Sequence, residues 1–291
     1  MASLFFTSPI DLDIKFDDEE SRKNIEIKSK NGKKDNYFLY KDGETVNGTV
    51  RVQVKDGKSV EHTGIKIQLF GTTEISNGQK DDFLTLSHDL APPSVLNHSV
   101  TYNFSFKDVE KRYESYKGKN IIVNYYVKVT VLRKNSDITK IKKFWVHLYS
   151  NPTDLKKSIK LDIGIENCLH IEFEYSKSTY GLKDVIVGRI YFLLTRLKIK
   201  HMEISLITRE TVGIQPNQLN DSNTIRYEIM DGSPVKGETI PIRLFLGGYD
   251  LTPTSKTNQF NVKNYISLVI IDEDGRRYFK QSEIILFRPS T

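Results

Sequence analysis

The residue types that enzymes use for catalysis are present in this sequence, but not in any known catalytic pattern. The six histidines never occur at the HExxH spacing of zinc hydrolases, and a single cysteine excludes a cysteine-rich zinc site. No GxSxG segment provides the nucleophile elbow of a hydrolase. The sequence therefore predicts a protein that is not an enzyme and has no catalytic residue, no cofactor and no metal.

Two short segments imitate ligand-binding loops. Gly57-Lys58-Ser59 resembles the end of a phosphate-binding P-loop, but Val52 occupies the position of its first glycine, and a strand pattern follows instead of a helix. Asp272–Gly275 resembles part of a calcium loop but lacks the EF-hand spacing. Both segments are predicted to be hairpin turns.

The other reactive side chains are predicted to be structural. His147 and His170 fall in predicted strands, and Cys168 is expected to be a small buried side chain. One cysteine permits no internal disulfide, which favours a reducing compartment. Because Met1–Phe6 lacks a basic start and a long apolar stretch, no signal peptide is predicted. No segment approaches the roughly 18 apolar residues of a membrane span, so we expect a cytoplasmic or peripheral protein.

The length and the net charge of the chain restrict the classes of function that remain possible. A chain of 291 residues has room for two domains, and its 15 Tyr and 15 Phe are typical of a folded protein. A net charge of +6 without a basic recognition helix disfavours nucleic acid as a partner. The basic clusters favour either a solvated surface or attraction to anionic lipids and acidic tails. These clusters are Arg133-Lys134, then Lys140, Lys142 and Lys143, and then Lys156, Lys157 and Lys160.

Alternation of apolar and polar residues dominates the chain and predicts antiparallel strands with one buried face. In the run from Ile121 to Val131, every second residue is apolar. Only Phe83 to Leu90, with apolar residues at helical spacing before Pro92, predicts a short helix. The fold class is therefore all-β with at most one short helix.

The second half of the sequence repeats the first. Tyr40 and Gly48 are separated by the same eight positions as Tyr180 and Gly188. Two further matches follow in the same order, with offsets between 137 and 140: Ile65, Ile67 and Leu69 with Met202, Ile204 and Leu206, and Asn124-Tyr125 with Asn264-Tyr265. Such a long repeat indicates a duplicated domain. We predict two tandem β-sandwiches, residues 1–150 and 155–291, joined where Pro152 interrupts the alternation.

Four segments resemble one family, vacuolar protein sorting-associated protein 26, the arrestin-like subunit of retromer. They are Cys168–Tyr175, Glu228–Glu238, Ile240–Leu246 and Arg276–Gln281. The resemblance extends from about Pro9 to Arg288 and implies a bilobal arrestin-like fold. Leu251 stands where many members have proline, and the segment from Ile214 to Thr224 is particular to this chain.

The resemblance implies a cargo adaptor of an endosomal coat with several partners. Its α-solenoid scaffold, vacuolar protein sorting protein 35, would bind around Ile229, Met230, Asp231 and Gly232, and would connect the chain to vacuolar protein sorting protein 29. Neighbouring side chains of a strand point to opposite faces, so one of Ile229 and Met230 is expected to be exposed. The alternative is that the following loop covers it.

The resemblance also implies a pocket for cargo tails, formed with sorting nexin 3. Phe279 and Ile163 match the positions that line it. Phe279 shares a strand face with Gln281 and Glu283, which favours exposure, whereas Ile163 has the parity of Ile165, which favours the core. Simple edge packing is the alternative role for Phe279. Membrane association would be indirect, through the nexin, and on endosomes.

Two other protein classes remain alternatives. Another arrestin relative, such as a receptor-binding arrestin or the retriever subunit, would share the fold but not the Glu228–Glu238 run. A secreted adhesion protein would use the sequons at Asn47 and Asn103, but the lone cysteine disfavours it.

Overall fold

A computed structural model of the chain describes residues 8–28, 32, 34–76, 78–153, 158–212 and 219–290. Within these residues the structure consists of strands and one 3₁₀ turn, Leu246–Gly248, which confirms the predicted all-β fold class. None of the described segments forms a helix long and apolar enough to cross a bilayer.

The chain divides into two compact units near the predicted junction. The first comprises Met1–Lys117 and Ile121–Leu148, and the second comprises Gly118–Asn120 and Tyr149–Thr291. The strands of the first unit are β1 (Ile10–Phe16), β2 (Asn24–Lys28), β3 (Lys34–Lys41), β4 (Val46–Val54), β5 (Val60–His62), β6 (Gly64–Ile75), β7 (Lys80–Ala91), β8 (Ser94–Leu96), β9 (Val100–Phe106), β10 (Tyr116–Lys117), β11 (Ile121–Leu132) and β12 (Ile138–His147). Those of the second unit are β13 (Ile159–Ile165), β14 (Leu169–Tyr175), β15 (Thr179–Gly181), β16 (Val185–Thr195), β17 (Ile199–Val212), β18 (Leu219–Asp231), β19 (Thr239–Phe245), β20 (Ser255–Lys256), β21 (Phe260–Asp272) and β22 (Arg277–Phe287).

The two units share one strand order. In the first, a sheet of order β1-β4-β9 accompanies a larger sheet of order β2-β3-β12-β11-β6-β7. In the second, a sheet of order β13-β14-β16-β19 accompanies one of order β15-β22-β21-β17-β18. The series β3-β12-β11-β6-β7 corresponds strand by strand to β15-β22-β21-β17-β18. The repeat detected in the sequence is thus a duplicated fold.

The repeated tyrosine and glycine have matching structural roles. Tyr40 in β3 and Tyr180 in β15 are buried, and each lies in a strand that pairs parallel with the last strand of its unit. Gly48 and Gly188 lie where a neighbouring strand approaches closely: a Cβ at Gly48 would lie 2.2 Å from the Lys15 carbonyl oxygen. The sequence repeat therefore marks a parallel pairing and a close strand contact in each unit.

Substitution of Gly48 tests this close contact. Gly48→Ala should lower the free energy of unfolding by about 1–3 kcal/mol, because β1 and the Phe104 ring must move to admit the methyl group. Gly164→Ala in β13 is the matched control, since its added Cβ would meet nothing within 4 Å. Chemical denaturation of both variants measures the difference. Equal stability of the two would contradict the packing described.

The predicted helix at Phe83 to Leu90 is wrong, because this segment lies within strand β7. The pairing of β7 with β6 skips Phe83 and Leu90, so each is the extra residue of a β-bulge. A bulge shifts the side-chain parity by one position. Two bulges seven positions apart therefore gave Phe83, Leu86 and Leu90 the spacing of a helix.

The register of one repeat match also needs correction. In β11 the core face carries Tyr125, whereas in β21 it carries Asn264 and Ile266 rather than Tyr265. Ile65 pairs with Val131, and its counterpart Met202 pairs with Ile270, so the offset between these strands is 139, which aligns Tyr125 with Asn264. The apolar side chains on both strands still occupy the core, so the duplication is unaffected.

Of the two predicted hairpin turns, one is confirmed. Asp272–Gly275 connects the paired strands β21 and β22, and the Asp272 carboxylate accepts the Arg276 N–H at 2.8 Å. Gly57-Lys58-Ser59 lies in a turn but not in a hairpin. It follows β4, which pairs with β1 and β9, and it precedes β5, which pairs with β8.

Candidate protein-binding surfaces

The predicted scaffold-binding residues lie at the end of β18 and in the loop Asp231–Glu238 that follows it. Gly232 has a φ of +88°, which glycine adopts readily, and its N–H donates to the Lys200 carbonyl oxygen at 2.7 Å. The Ser233 hydroxyl accepts the Ile199 N–H at 2.7 Å and donates to the Ile199 carbonyl oxygen at 3.0 Å. The start of the loop is thus fixed to β17.

The other end of the 231–238 loop is fixed to the opposite sheet. The Gly237 N–H donates to the Phe192 carbonyl oxygen at 2.8 Å, and the Phe192 N–H donates to the Glu238 carbonyl oxygen at 3.1 Å. Pro234 is buried between these anchors. Because both ends bond to regular strands, the loop presents its side chains in a defined position.

The prediction that one of Ile229 and Met230 is exposed while the other enters the core is wrong. Met202 pairs with Met230 and Glu203 pairs with Glu228, so Ile229 is the extra residue of a bulge. Both side chains are half-buried and pack against the core of the second unit. The bulge therefore brings two large neighbouring apolar side chains beside the same loop, each with part of its surface accessible.

The structure also shows an exposed apolar residue that sequence reasoning missed. Val235 is 73% exposed, although it lies in the same loop, between Pro234 and Lys236. Its N–H donates to the Glu238 carboxylate at 3.0 Å, which holds it within the turn. Its position after a proline in a loop was the only available signal, because residues outside strands have no parity from which to predict exposure.

The second predicted contact, Phe279, is on the surface. Its side chain is 54% exposed in β22, opposite the buried Val269, and the Arg277 guanidinium lies 5.3 Å from the centre of its ring. Gln281 on the same face accepts a hydrogen bond from Arg209 at 3.4 Å. The sequence prediction that this Phe does not belong to the core is confirmed.

The strand that carries Phe279 has an open edge. One side of β22 pairs with β21 from Arg277 to Ile284, whereas the other side pairs with β15 only from Ile285 to Phe287. Among the described residues, nothing pairs with the second side from Arg277 to Ile284. This edge therefore offers backbone hydrogen-bonding groups to an added strand next to an exposed aromatic ring.

Ile163 is buried although the resemblance assigns it to a binding pocket, and Cys168 is exposed although it was expected to be buried. Ile163 in β13 is 7% exposed and belongs to the core, as its parity indicated, so its side chain lines no surface in this structure. Cys168 was expected to be buried but is exposed. It ends the turn between β13 and β14, where its N–H donates to Ile165, and a turn residue has no core-facing side.

Three side chains of metal-binding type meet on the outer face of the β13–β14 pair. Asp162, His170 and Glu172 bring their ligand atoms within 4.8 Å of one another. The Lys160 ammonium lies 2.7 Å from the Glu172 carboxylate, and His170 lies 3.2 Å from Asp162. The group is thus a polar network in which the Lys160 ammonium already forms an ion pair with the Glu172 carboxylate.

Several lysines of the basic clusters form hydrogen bonds or ion pairs with other residues of the chain. Lys142 bonds to Glu19, and Lys134 forms an ion pair with Glu61 at 3.2 Å. Lys156 and Lys157 lie outside the described residues. The clusters therefore do not act as one uniform basic surface.

The fold and its surfaces together define the class of protein. Two duplicated β-sandwiches of mainly antiparallel strands, with exposed apolar side chains and an open strand edge in the second, make this an arrestin-like protein. The family model of vacuolar protein sorting-associated protein 26 matches residues 6–275. The chain belongs to this family.

Curated relatives support the same assignment across kingdoms. The chain is 50% identical to vacuolar protein sorting-associated protein 26B of Homo sapiens, over 99% of this chain and 88% of that protein. It is 48% identical to vacuolar protein sorting-associated protein 26 of Schizosaccharomyces pombe, over 98% and 97%. It is also 48% identical to carboxypeptidase Y-deficient protein 8 of Saccharomyces cerevisiae, over 98% and 99%. The similarity thus covers both units.

Proposed function

We propose that this protein is a retromer subunit that acts as a non-enzymatic adaptor in endosomal cargo sorting. The observation that supports this best is that the second unit exposes apolar side chains, at the 231–238 loop and at Phe279. The chain also belongs to a family of protein-sorting subunits. Exposed apolar side chains on ordered elements are typical of protein interfaces. The protein would be cytoplasmic and peripheral on endosome membranes.

The scaffold, vacuolar protein sorting protein 35, would bind at Ile229, Met230, Asp231 and Gly232, with Val235 as an additional apolar contact. Three apolar side chains lie within seven positions, and the hydrogen bonds of Gly232 and Ser233 hold the loop. A preorganised loop loses little conformational entropy on binding. Vacuolar protein sorting protein 29 would join through the scaffold without touching this chain.

Cargo tails and sorting nexin 3 would bind along the open edge of β22. The tail would pair its backbone with the edge from Arg277 to Ile284 and place an apolar side chain against Phe279. Ile163 would contribute as part of the core beneath β13 rather than by direct contact. Membrane recruitment would follow from the nexin, not from this chain inserting into lipid.

Identification of the proteins that co-purify from cell lysate tests the proposed function. We expect the α-solenoid scaffold and sorting nexins to be recovered in stoichiometric amounts with the tagged full-length chain. The matched control is Phe245→Ala, which removes an exposed aromatic residue elsewhere in the second unit and should recover the same partners. Recovery of receptors alone, or of a different scaffold, would contradict the retromer assignment and favour another arrestin relative.

A further inference from the structure

One serine in the loop after β18 is followed by the residues that a class of protein kinases recognises. Ser233 directly precedes Pro234, and Lys236 lies three positions after the serine. Proline-directed kinases require a proline directly after the acceptor serine or threonine, and many of them select a basic residue three positions after it. The sequence has two other pairs of this type, Ser8-Pro9 and Thr252-Pro253, but neither has a basic residue at the third position. The complete pattern thus occurs at Ser233 alone.

The acceptor residue lies at the surface in a segment without regular structure. Ser233, Val235 and Lys236 are exposed, and the residues from 233 to 235 belong to no strand. Pro234 is buried, so the loop must open locally before a kinase can bind it in an extended conformation. The anchor at this end consists of the Gly232 N–H on Lys200 and two hydrogen bonds of the Ser233 hydroxyl. Openings that break so few hydrogen bonds are ordinary in native proteins.

Phosphorylation removes the hydrogen bonds by which Ser233 holds the loop. The hydroxyl accepts the Ile199 N–H at 2.7 Å and donates to the Ile199 carbonyl oxygen at 3.0 Å. Phosphoryl transfer from ATP forms a bond between Ser233 Oγ and the γ-phosphorus, breaks the bond from that phosphorus to the leaving oxygen of ADP, and moves the hydroxyl proton to the catalytic base of the kinase. The ester oxygen has no proton to donate to the Ile199 carbonyl oxygen. The closed loop therefore fits the serine and not its phosphate ester.

The charges of the loop do not compensate a phosphate. A phosphoserine carries about −1.5 to −2 charges at pH 7. Asp231 lies two positions before Ser233, and the Glu238 carboxylate accepts the Val235 N–H at 3.0 Å at the other end of the loop. Against these two carboxylates the loop has one basic residue, Lys236. A phosphate therefore adds to a net negative charge, and like-charge repulsion further disfavours the closed loop.

We propose that Ser233 is the acceptor of a proline-directed protein kinase and that its phosphorylation releases the scaffold. This inference rests on the proposed scaffold-binding function of the same loop. The phosphate would lie beside Ile229, Met230 and Val235, the apolar side chains that the scaffold would desolvate. A charge inside a desolvated apolar contact weakens binding by roughly a hundredfold. Phosphorylation would thus convert the adaptor from a scaffold-bound to a free form.

Incubation of the full-length chain with a purified cyclin-dependent kinase, Mg²⁺ and ATP tests the acceptor. Mass mapping should find one phosphate at Ser233, whereas Ser8 and Thr252 stay unmodified in the same molecule because they lack the basic residue. Lys236→Gln should slow incorporation by about tenfold, as expected for one lost charged contact. A chain that stays unmodified at Ser233, or that is modified as readily at Thr252, would overturn the proposal. This readout does not depend on the scaffold.

A chain produced with phosphoserine genetically encoded at Ser233 tests the consequence. Calorimetric titration with the scaffold should give an affinity roughly a hundredfold below that of the unmodified chain. Phosphoserine encoded at Ser158, an exposed serine of the same unit outside the loop, is the matched control and should leave the affinity unchanged. If the unmodified chain binds the scaffold and the chain phosphorylated at Ser233 binds equally well, the regulation is excluded while the proposed function stands. An unmodified chain that does not bind the scaffold would overturn both.

Discussion

Replacing Ile229 and Met230 together by aspartate should abolish binding to the α-solenoid scaffold. Apolar interface anchors typically contribute about 2 kcal/mol each, so the double variant should lose about 4 kcal/mol, roughly a thousandfold in affinity. The aspartates would also place two charges where the scaffold requires desolvated apolar surface. Calorimetric titration of the purified scaffold with each variant measures the effect.

The same double substitution should also lower stability, because both side chains pack partly against the core of the second unit. Leu251→Asp controls for this, since Leu251 is likewise half-buried against that core but lies outside the 231–238 loop. We expect the control to lower the melting temperature while the scaffold still binds. Scaffold binding retained by the folded double variant would exclude this surface as the contact.

Replacing Phe279 by alanine should weaken the capture of cargo tails and leave scaffold affinity intact. The substitution removes an aromatic ring that is 54% exposed and lies 5.3 Å from the Arg277 guanidinium, so the fold should lose little stability. Loss of one aromatic anchor corresponds to about 2 kcal/mol, or roughly thirtyfold in affinity. Fluorescence anisotropy of a labelled tail peptide, in the presence of the sorting nexin, measures the change.

Phe245→Ala provides the comparison for the tail-binding experiment. Phe245 is 60% exposed but lies in β19, on the other sheet of the second unit. Its removal should alter neither the tail nor the scaffold affinity. If both phenylalanine variants bind tails as the parent does, Phe279 serves only to pack the strand edge.

The strands and the duplication could be predicted because burial on one face leaves a period of two in the sequence. In the run from Ile121 to Val131, every second residue is fully buried in β11. The repeated tyrosine and glycine could be recognised in the sequence because each of their positions demands one residue type. Tyr40 lies in a buried parallel pairing, and Gly48 lies at a close contact between strands. Strict local requirements of this kind remain visible in a single sequence.

Bulges explain most of what could not be predicted. A bulge adds one residue to one strand, and the parity of every residue beyond it changes, yet no residue type marks its position. The bulges at Phe83 and Leu90 produced the false helix, and the one at Ile229 placed two neighbours on the same side. Pairing between strands decides where such residues fall, and it is not visible in one strand alone.

The candidate surfaces were predictable only where a strand pattern was broken. Phe279 could be identified as exposed because Gln281 and Glu283 share its face. Val235 and Cys168 lie in turns, where exposure depends on the course of the backbone and not on parity.

The register of the β17–β18 hairpin shifts twice, once between Met202 and Glu203 and again between Thr208 and Arg209. At each shift, one residue of β18 has no pairing partner in β17. A gain or loss of one residue at the other end of the hairpin can therefore be compensated at these positions before the chain reaches Met230. The pairing of Met202 with Met230 can therefore stay in place when the length of the hairpin changes at its other end.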